Sequence, residues 1–251
     1  MNSNIDNLVN SLKNLRRAIL IEILEIPIFI VAIIIIILSM FFQLVIKGAG
    51  ADILISSLMN MTIVIGGLFA IILTLYYIYM NKGWKGMCNE RTEYCTVRTV
   101  FTYLMPICII FSVLALVFIS MGISQLVKEF IPWPPKGLST EDILRNAIKI
   151  TPLLTGIILS FVGIILGIVV EIFVFIGLYR IGNFYGVEIL KVGAIMKLIA
   201  SFMSKGLGYI TIMQYAGIGV LILYIIALIL IYLGIGNAMK KVIEIGAAGG
   251  I

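Results

Sequence analysis

The sequence predicts an all-α fold, a polytopic helical membrane bundle of about six transmembrane helices (five to six) behind an N-terminal amphipathic helix. Three observations carry this. Of 251 residues, 62% are hydrophobic and 12% charged, against about 45–50% and about 25% in a soluble domain, and the mean hydropathy is +1.19. Several uncharged runs reach the ~20 residues that a bilayer crossing needs. Lysine and arginine fall unevenly between alternate loops, as they do where inner loops are the basic ones. The net charge of +6 is then a loop property. No basic cluster exceeds three residues within a turn or two, which weighs against nucleic acid and leaves the lipid bilayer as the first partner.

Residues 1–26 read as an amphipathic interfacial helix, because Leu8, Leu12, Leu15 and Ile19 recur at helical spacing. The run lacks the short apolar core and cleavage site of a secretory signal. A single transmembrane domain is expected over 27–245 and a flexible tail over 246–251. The first span covers 28–46, with Pro27 in the tolerated first-turn position. Glu22 and Glu25 then fall outside the hydrocarbon near Arg16 and Arg17, as a solvated or headgroup-level face.

A second span at 53–80 follows, with Asp52 placed to cap it. Ser56, Asn60, Gly67 and Thr74 form a small and polar stripe along it. The third, 99–121, carries Pro106, a kink point. Residues 122–150 read as a polar connection with a stiff "IPWPPKG" centre and a helix start capped by Ser139 or Thr140. The fourth span, 152–178, is ~40 Å long and must tilt or protrude. Residues 187–204, with Glu188, Lys191 and Lys197, form a weak fifth span or an interfacial helix, and 209–232 the last span. Gln43 and Gln214, near span ends, read as packing or headgroup contacts.

With six spans and the N-terminus inside, eleven basic residues face inward and six outward, Lys197 being left within the fifth segment. The prediction is a multi-pass cell-membrane protein with both termini cytoplasmic. The endings "LYYIYMNKG", "LYRIGNFYG" and "IYLGIGNAM" place tyrosines at one interface, by common physics or a three-hairpin repeat.

Chemistry is sparse. There is no histidine, and three cysteines, Cys88, Cys95 and Cys108, give no disulfide framework. Cys88 and Cys95, seven apart, would share a helix face. They are expected to be inert thiols, a disulfide being conceivable in a hyperthermophile. No metal, cofactor or catalytic residue is assigned.

One residue stands out. Gly156, Ser160, Gly163, Gly167 and Glu171 follow at spacings of 4, 3, 4 and 4, a stripe of small residues ending in a carboxylate. Small residues let helices approach where lipid gives no drive for association, so Glu171 points into the bundle. A central carboxylate costs about 2.5–3.5 kcal/mol on insertion scales. It is a protonatable or cation-coordinating site, a neutral hydrogen-bonded glutamate, or a rim residue reaching for water. Its own helix offers no cation within a turn, which favours the protonated, donating form; Lys197 is the candidate cation from elsewhere.

The stretch "GLYRIGNFYGVEILKVGAIMKLIA", with Tyr179-Arg180 and Gly182 ending one helix and Gly193-Ala194 in the next, resembles uncharacterised archaeal integral-membrane families of unknown function. The resemblance covers the C-terminal third. It implies a crenarchaeal-type source, which the isoleucine-rich composition suits, and no activity. Two functions remain: a structural or accessory bundle in a membrane complex or homo-oligomer, and a small proton- or cation-coupled transporter or channel with Glu171 in its pathway. An enzyme ranks below both.

Overall fold

The computed structural model describes residues 3–42, 51–130, 140–207 and 214–248, with side chains over 4–39, 41–42, 64–122, 151–204 and 218–248. These residues form helices α1 (Ser3–Phe41), α2 (Ala51–Glu90), α3 (Cys95–Phe130), α4 (Thr140–Phe184), α5 (Glu188–Leu207) and α6 (Gln214–Ala247). A 3-10 turn at Thr92–Tyr94 joins α2 to α3. No strand occurs among them, and five helices are long and apolar enough to cross a membrane. The exception is α5, with 20 residues.

The helices run past the boundaries that hydropathy suggested. The N-terminal amphipathic segment and the first span are one helix of 39 residues that passes through Pro27. Asp52 lies inside the first turn of α2 rather than capping it. Part of the polar connection expected at 122–150 is helix, since α3 continues to Phe130 and α4 starts at Thr140, with Pro152 inside it. The proline-rich centre and Ser139 lie outside the described residues, as do 249–251 of the expected tail. The reason is physical: about 20 residues is the least that spans a bilayer, and nothing obliges a helix to stop there.

The chain divides into two compact units. One comprises Pro27–Ile71 and Cys108–Gly163. In it α3 and α4 run antiparallel with their backbones almost touching. A Cβ added at Gly122 would stand 2.7 Å from the Leu153 nitrogen, and one at Gly156 2.8 Å from the Ile119 nitrogen. At Gly163 the same atom would lie 3.7 Å from Phe111 and Ser112, an ordinary contact. Among its described side chains the outward faces are mainly apolar, as at Ile35, Leu38, Val64, Val117 and Ile158.

The other unit comprises Met1–Ile26, Ile72–Ile107 and Ile164–Ile251. Its core is built from large side chains: Leu12, Leu15, Trp84, Phe101, Leu178 and Leu228 are fully buried. The rhythm of Leu8, Leu12, Leu15 and Ile19 is therefore satisfied by protein, each of the four being buried in the unit. Helix α4 ends in a Schellman turn. Gly186 takes φ +61, the Val187 amide donates to the Gly182 carbonyl at 2.7 Å, and the Gly186 amide donates to Asn183 at 3.3 Å. The chain then reverses into α5, which packs antiparallel on α6. A Cβ at Gly193 would come within 2.9 Å of the Ile231 nitrogen, and one at Gly234 within 2.7 Å of the Leu190 Cα.

Exposed stripes of this unit change character along the helices. On α1, Leu24 and Leu20 give way to Arg17 and Lys13; on α2, Leu75 and Ile78 give way to Lys82 and Lys85. Arginines lie over tyrosine rings at this change, Arg16 on Tyr232 at 4.1 Å and Arg17 on Tyr79 at 5.8 Å.

A buried charge cluster as candidate functional site

Four helices of the second unit each bring a titratable side chain from a mainly apolar inner stripe. On α1 the series Leu8, Leu12, Leu15, Ile19 continues, three residues on, to Glu22, which is 8% exposed. On α4, Glu171 precedes the buried Val174, Leu178 and Ile181. On α5, Lys197 follows Leu190 and Ala194 and is 2% exposed. On α6, Tyr224 lies between Val220 and Ala227.

These four side chains meet. The Lys197 Nζ donates to the Oε2 of Glu22 at 3.1 Å and pairs with its Oε1 at 2.9 Å. It lies 3.4 Å from the Oε2 of Glu171. The Tyr224 hydroxyl donates to the Oε1 of Glu22. Tyr76 of α2 and Glu25 of α1 are within electrostatic reach. Measured along the helices, Glu22 stands ~7 Å from Arg17, and Tyr224 ~12 Å from Tyr232. The cluster thus sits on the apolar side of the arginine–tyrosine ring.

The structure places Glu171 inside the bundle, as its stripe implied, and supplies the cation that its own helix lacks: Lys197, the candidate named from sequence. Glu22 corrects the sequence reading. Its neighbourhood to Arg16 and Arg17 suggested a solvated face, but it belongs to the leucine stripe and turns inward with it. That spacing was the available signal. Tyr224 and Tyr76 carried none, since an interior tyrosine reads as bulk.

The glycine stripe divides in its behaviour. Gly156 makes the closest approach and Gly163 an ordinary one, while Ser160 and Gly167 are half-buried. On α2, a Cβ at Gly67 would meet nothing, so no close contact forms there. The side chains of Ser56 and Asn60 lie outside the described residues.

Cys88 and Cys95 are joined by a disulfide, with Cα atoms 4.6 Å apart, which overturns the expectation of inert thiols. The helix breaks between them. Arg91 is extended (φ -147, ψ 119) and the 3-10 turn carries Cys95 back to Cys88. The turn is braced by Arg180, which donates to the Glu93 carbonyl at 2.9 Å, and by Arg91 over Phe184 at 3.3 Å. Just outside α4, Tyr185 is pushed up to about 12, by burial first.

A cleft of about 390 Å³ opens where the α4–α5 turn meets the end of α6. It is lined by both signs, Glu188 and Glu244 with Lys240 and Lys241, and the Lys241 Nζ already donates to the Gly186 carbonyl at 3.0 Å. Among the described residues no group of three or more His, Cys, Asp or Glu is placed to hold a metal ion.

No curated protein and no solved structure matches this chain. Residues 9–247 match the family described as protein of unknown function (DUF973), and with nearly its whole length matched the chain belongs to that family.

Proposed function

We propose that this chain is a multi-pass protein of the cell membrane, with its N-terminus in the cytoplasm, and that its bundle is a structural or accessory element of a homo-oligomer or a larger membrane complex. The carrying observation is the lock at Lys197, which ties α1, α4 and α5 through one ammonium. A buried pair of this kind contributes little net stability but fixes which helices meet and in what register. That suits a scaffold. Mass determination of the protein extracted from its native membrane in mild detergent tests the reading. A multimer or a stoichiometric partner is expected; a solitary monomer would remove it.

The topology has two supports. The basic residues divide eleven to six, and the outward face of α5 is apolar at Val192, Ile195, Ile199 and Phe202, as a sixth span requires. Labelling of an Ala247→Cys variant should succeed only from the cytoplasmic side; labelling only from outside would leave five spans. A crenarchaeal-type source is part of the same proposal. A disulfide at the end read as cytoplasmic suits hyperthermophiles, whose intracellular proteins are rich in them. No reaction and no cofactor is assigned.

A second reading, proton- or cation-coupled transport, is favoured by the charge imbalance of the cluster. Reconstituted vesicles should then dissipate a pH gradient with the wild-type protein and not with Glu171→Gln.

A further inference from the structure

The cluster does not balance. Lys197 brings one positive charge to two carboxylates, Glu22 and Glu171, both within 3.4 Å of its Nζ. Among the described residues, the other titratable groups that face it are Glu25 from α1, Tyr76 from α2 and Tyr224 from α6, and none of these carries positive charge. With all carboxylates ionised, the interior would hold a net negative charge among leucines and isoleucines, a strongly disfavoured state.

The two carboxylates are not equivalent. Both oxygens of Glu22 accept, Oε1 from Tyr224 and Oε2 from Lys197, whose ammonium also pairs with Oε1. Glu171 meets Lys197 through Oε2, at a longer distance, and its side chain is 22% exposed against 10% for Glu22. Glu22 is anchored by its donors, and Glu171 is the more exposed member.

We propose that this cluster is a proton-binding site, in which the Glu22–Glu171 pair shares one exchangeable proton that enters and leaves through Glu171. The step is acid–base chemistry alone. A proton from water joins a carboxylate oxygen, and the Glu22–Lys197–Glu171 set passes from a net charge of minus one to zero. The titration belongs to the pair rather than to either residue. A metal cation fits less well, because the Lys197 ammonium already occupies the point between the carboxylates and would repel it. The inference draws its purpose from the transport reading, but the proton itself does not depend on that reading.

Infrared difference spectroscopy of the full chain in lipid nanodiscs provides the test. The wild type should show an undissociated-carboxyl band that titrates with pH and is weakened by one carboxyl in both Glu22→Gln and Glu171→Gln, since either leaves Lys197 in contact with a single carboxylate while Glu25 is common to all. Lys197→Met, with no cation left, should strengthen it by a similar amount. Sodium added at constant pH should leave it unchanged. A wild-type protein without such a band overturns the site, and so does a band that sodium removes at fixed pH.

Should the glutamine variants fail to assemble, the wild type suffices. With glutamate labelled in its side-chain carboxyl carbon, one acid-form NMR signal should exchange with the ionised form as pH changes; none overturns the site. A band without proton flux in vesicles removes transport and leaves the site standing.

Discussion

Where α3 and α4 meet at Gly122 and Gly156, little but backbone lies between the helices; where α1, α4, α5 and α6 meet around Lys197, an ammonium and two carboxylates do. The first contact belongs to the unit whose described outward faces are mainly apolar, the second to the unit with a core of large side chains and basic outer stripes. In hydrocarbon, apolar side chains gain nothing by leaving the solvent, so helices associate through close approach and polar contacts. The chain uses both devices: the unit with the ionic contact also brings backbones together at Gly193 and Gly234, while the described contact of the other rests on close approach. The glycine device tolerates no added atom, while the ionic device tolerates no missing partner.

The ionic device should break most severely. Lys197→Met leaves two buried carboxylates without a cation, and removal of one partner of a buried pair costs about 3–5 kcal/mol. Thermal melting in detergent should show a large loss, partly restored by adding Glu22→Gln. Melting at the wild-type temperature would remove the ionic half of the comparison.

The disulfide comes next. Closing the α2–α3 turn through Cys88 and Cys95 should contribute about 2–4 kcal/mol, so a reductant or Cys95→Ser should lower the melting midpoint and leave the oligomeric state unchanged. No shift on verified reduction would show that Arg180 and the aromatic contacts hold the turn alone.

In the glycine unit, Gly156→Leu should cost about 1–3 kcal/mol by overpacking, whereas Gly163→Ala should change little because an added Cβ there meets ordinary contacts. Equal effects at the two positions would mean that closeness does not decide that interface. Smallest is Arg16→Gln, which removes the ring contact with Tyr232 at a cost of about 0.5–1 kcal/mol. A double-mutant cycle with Tyr232→Leu should recover that coupling, and a zero coupling would make the contact incidental.

Most of the architecture was legible because lipid leaves a coarse signature: runs of isoleucine and leucine must be helices, and five of them are long enough to cross. The ends were not legible, since Pro27 and Pro152 look like boundaries and both lie inside helices, whereas Pro106 lies inside its helix as the sequence suggested. Half of the cluster could be read. The stripe from Gly156 to Glu171 turned the carboxylate inward, and Lys197 was the candidate cation. Glu22 was hidden by its neighbours, because two arginines nearby in sequence suggest solvent, whereas spacing from Ile19 dictates which way the side chain turns. The disulfide could not be read either. A seven-residue separation suits a helix face as well as a tight turn, and only the break at Arg91 selects the turn.

The cluster also has an order in time. Glu22 and Glu171 both precede Lys197 along the chain, so a ribosome delivers the two acids first and the base last. Helix α5, with Lys197 at its middle and Glu188 and Lys191 in its first turn, is a poor candidate for entering lipid unaided. On the reading proposed above, it is threaded into a membrane where both of its counter-charges already wait. Assembly of this bundle would then be a matter of sequence in the temporal sense, and a version of the chain permuted to begin at α5 would present the base before the acids.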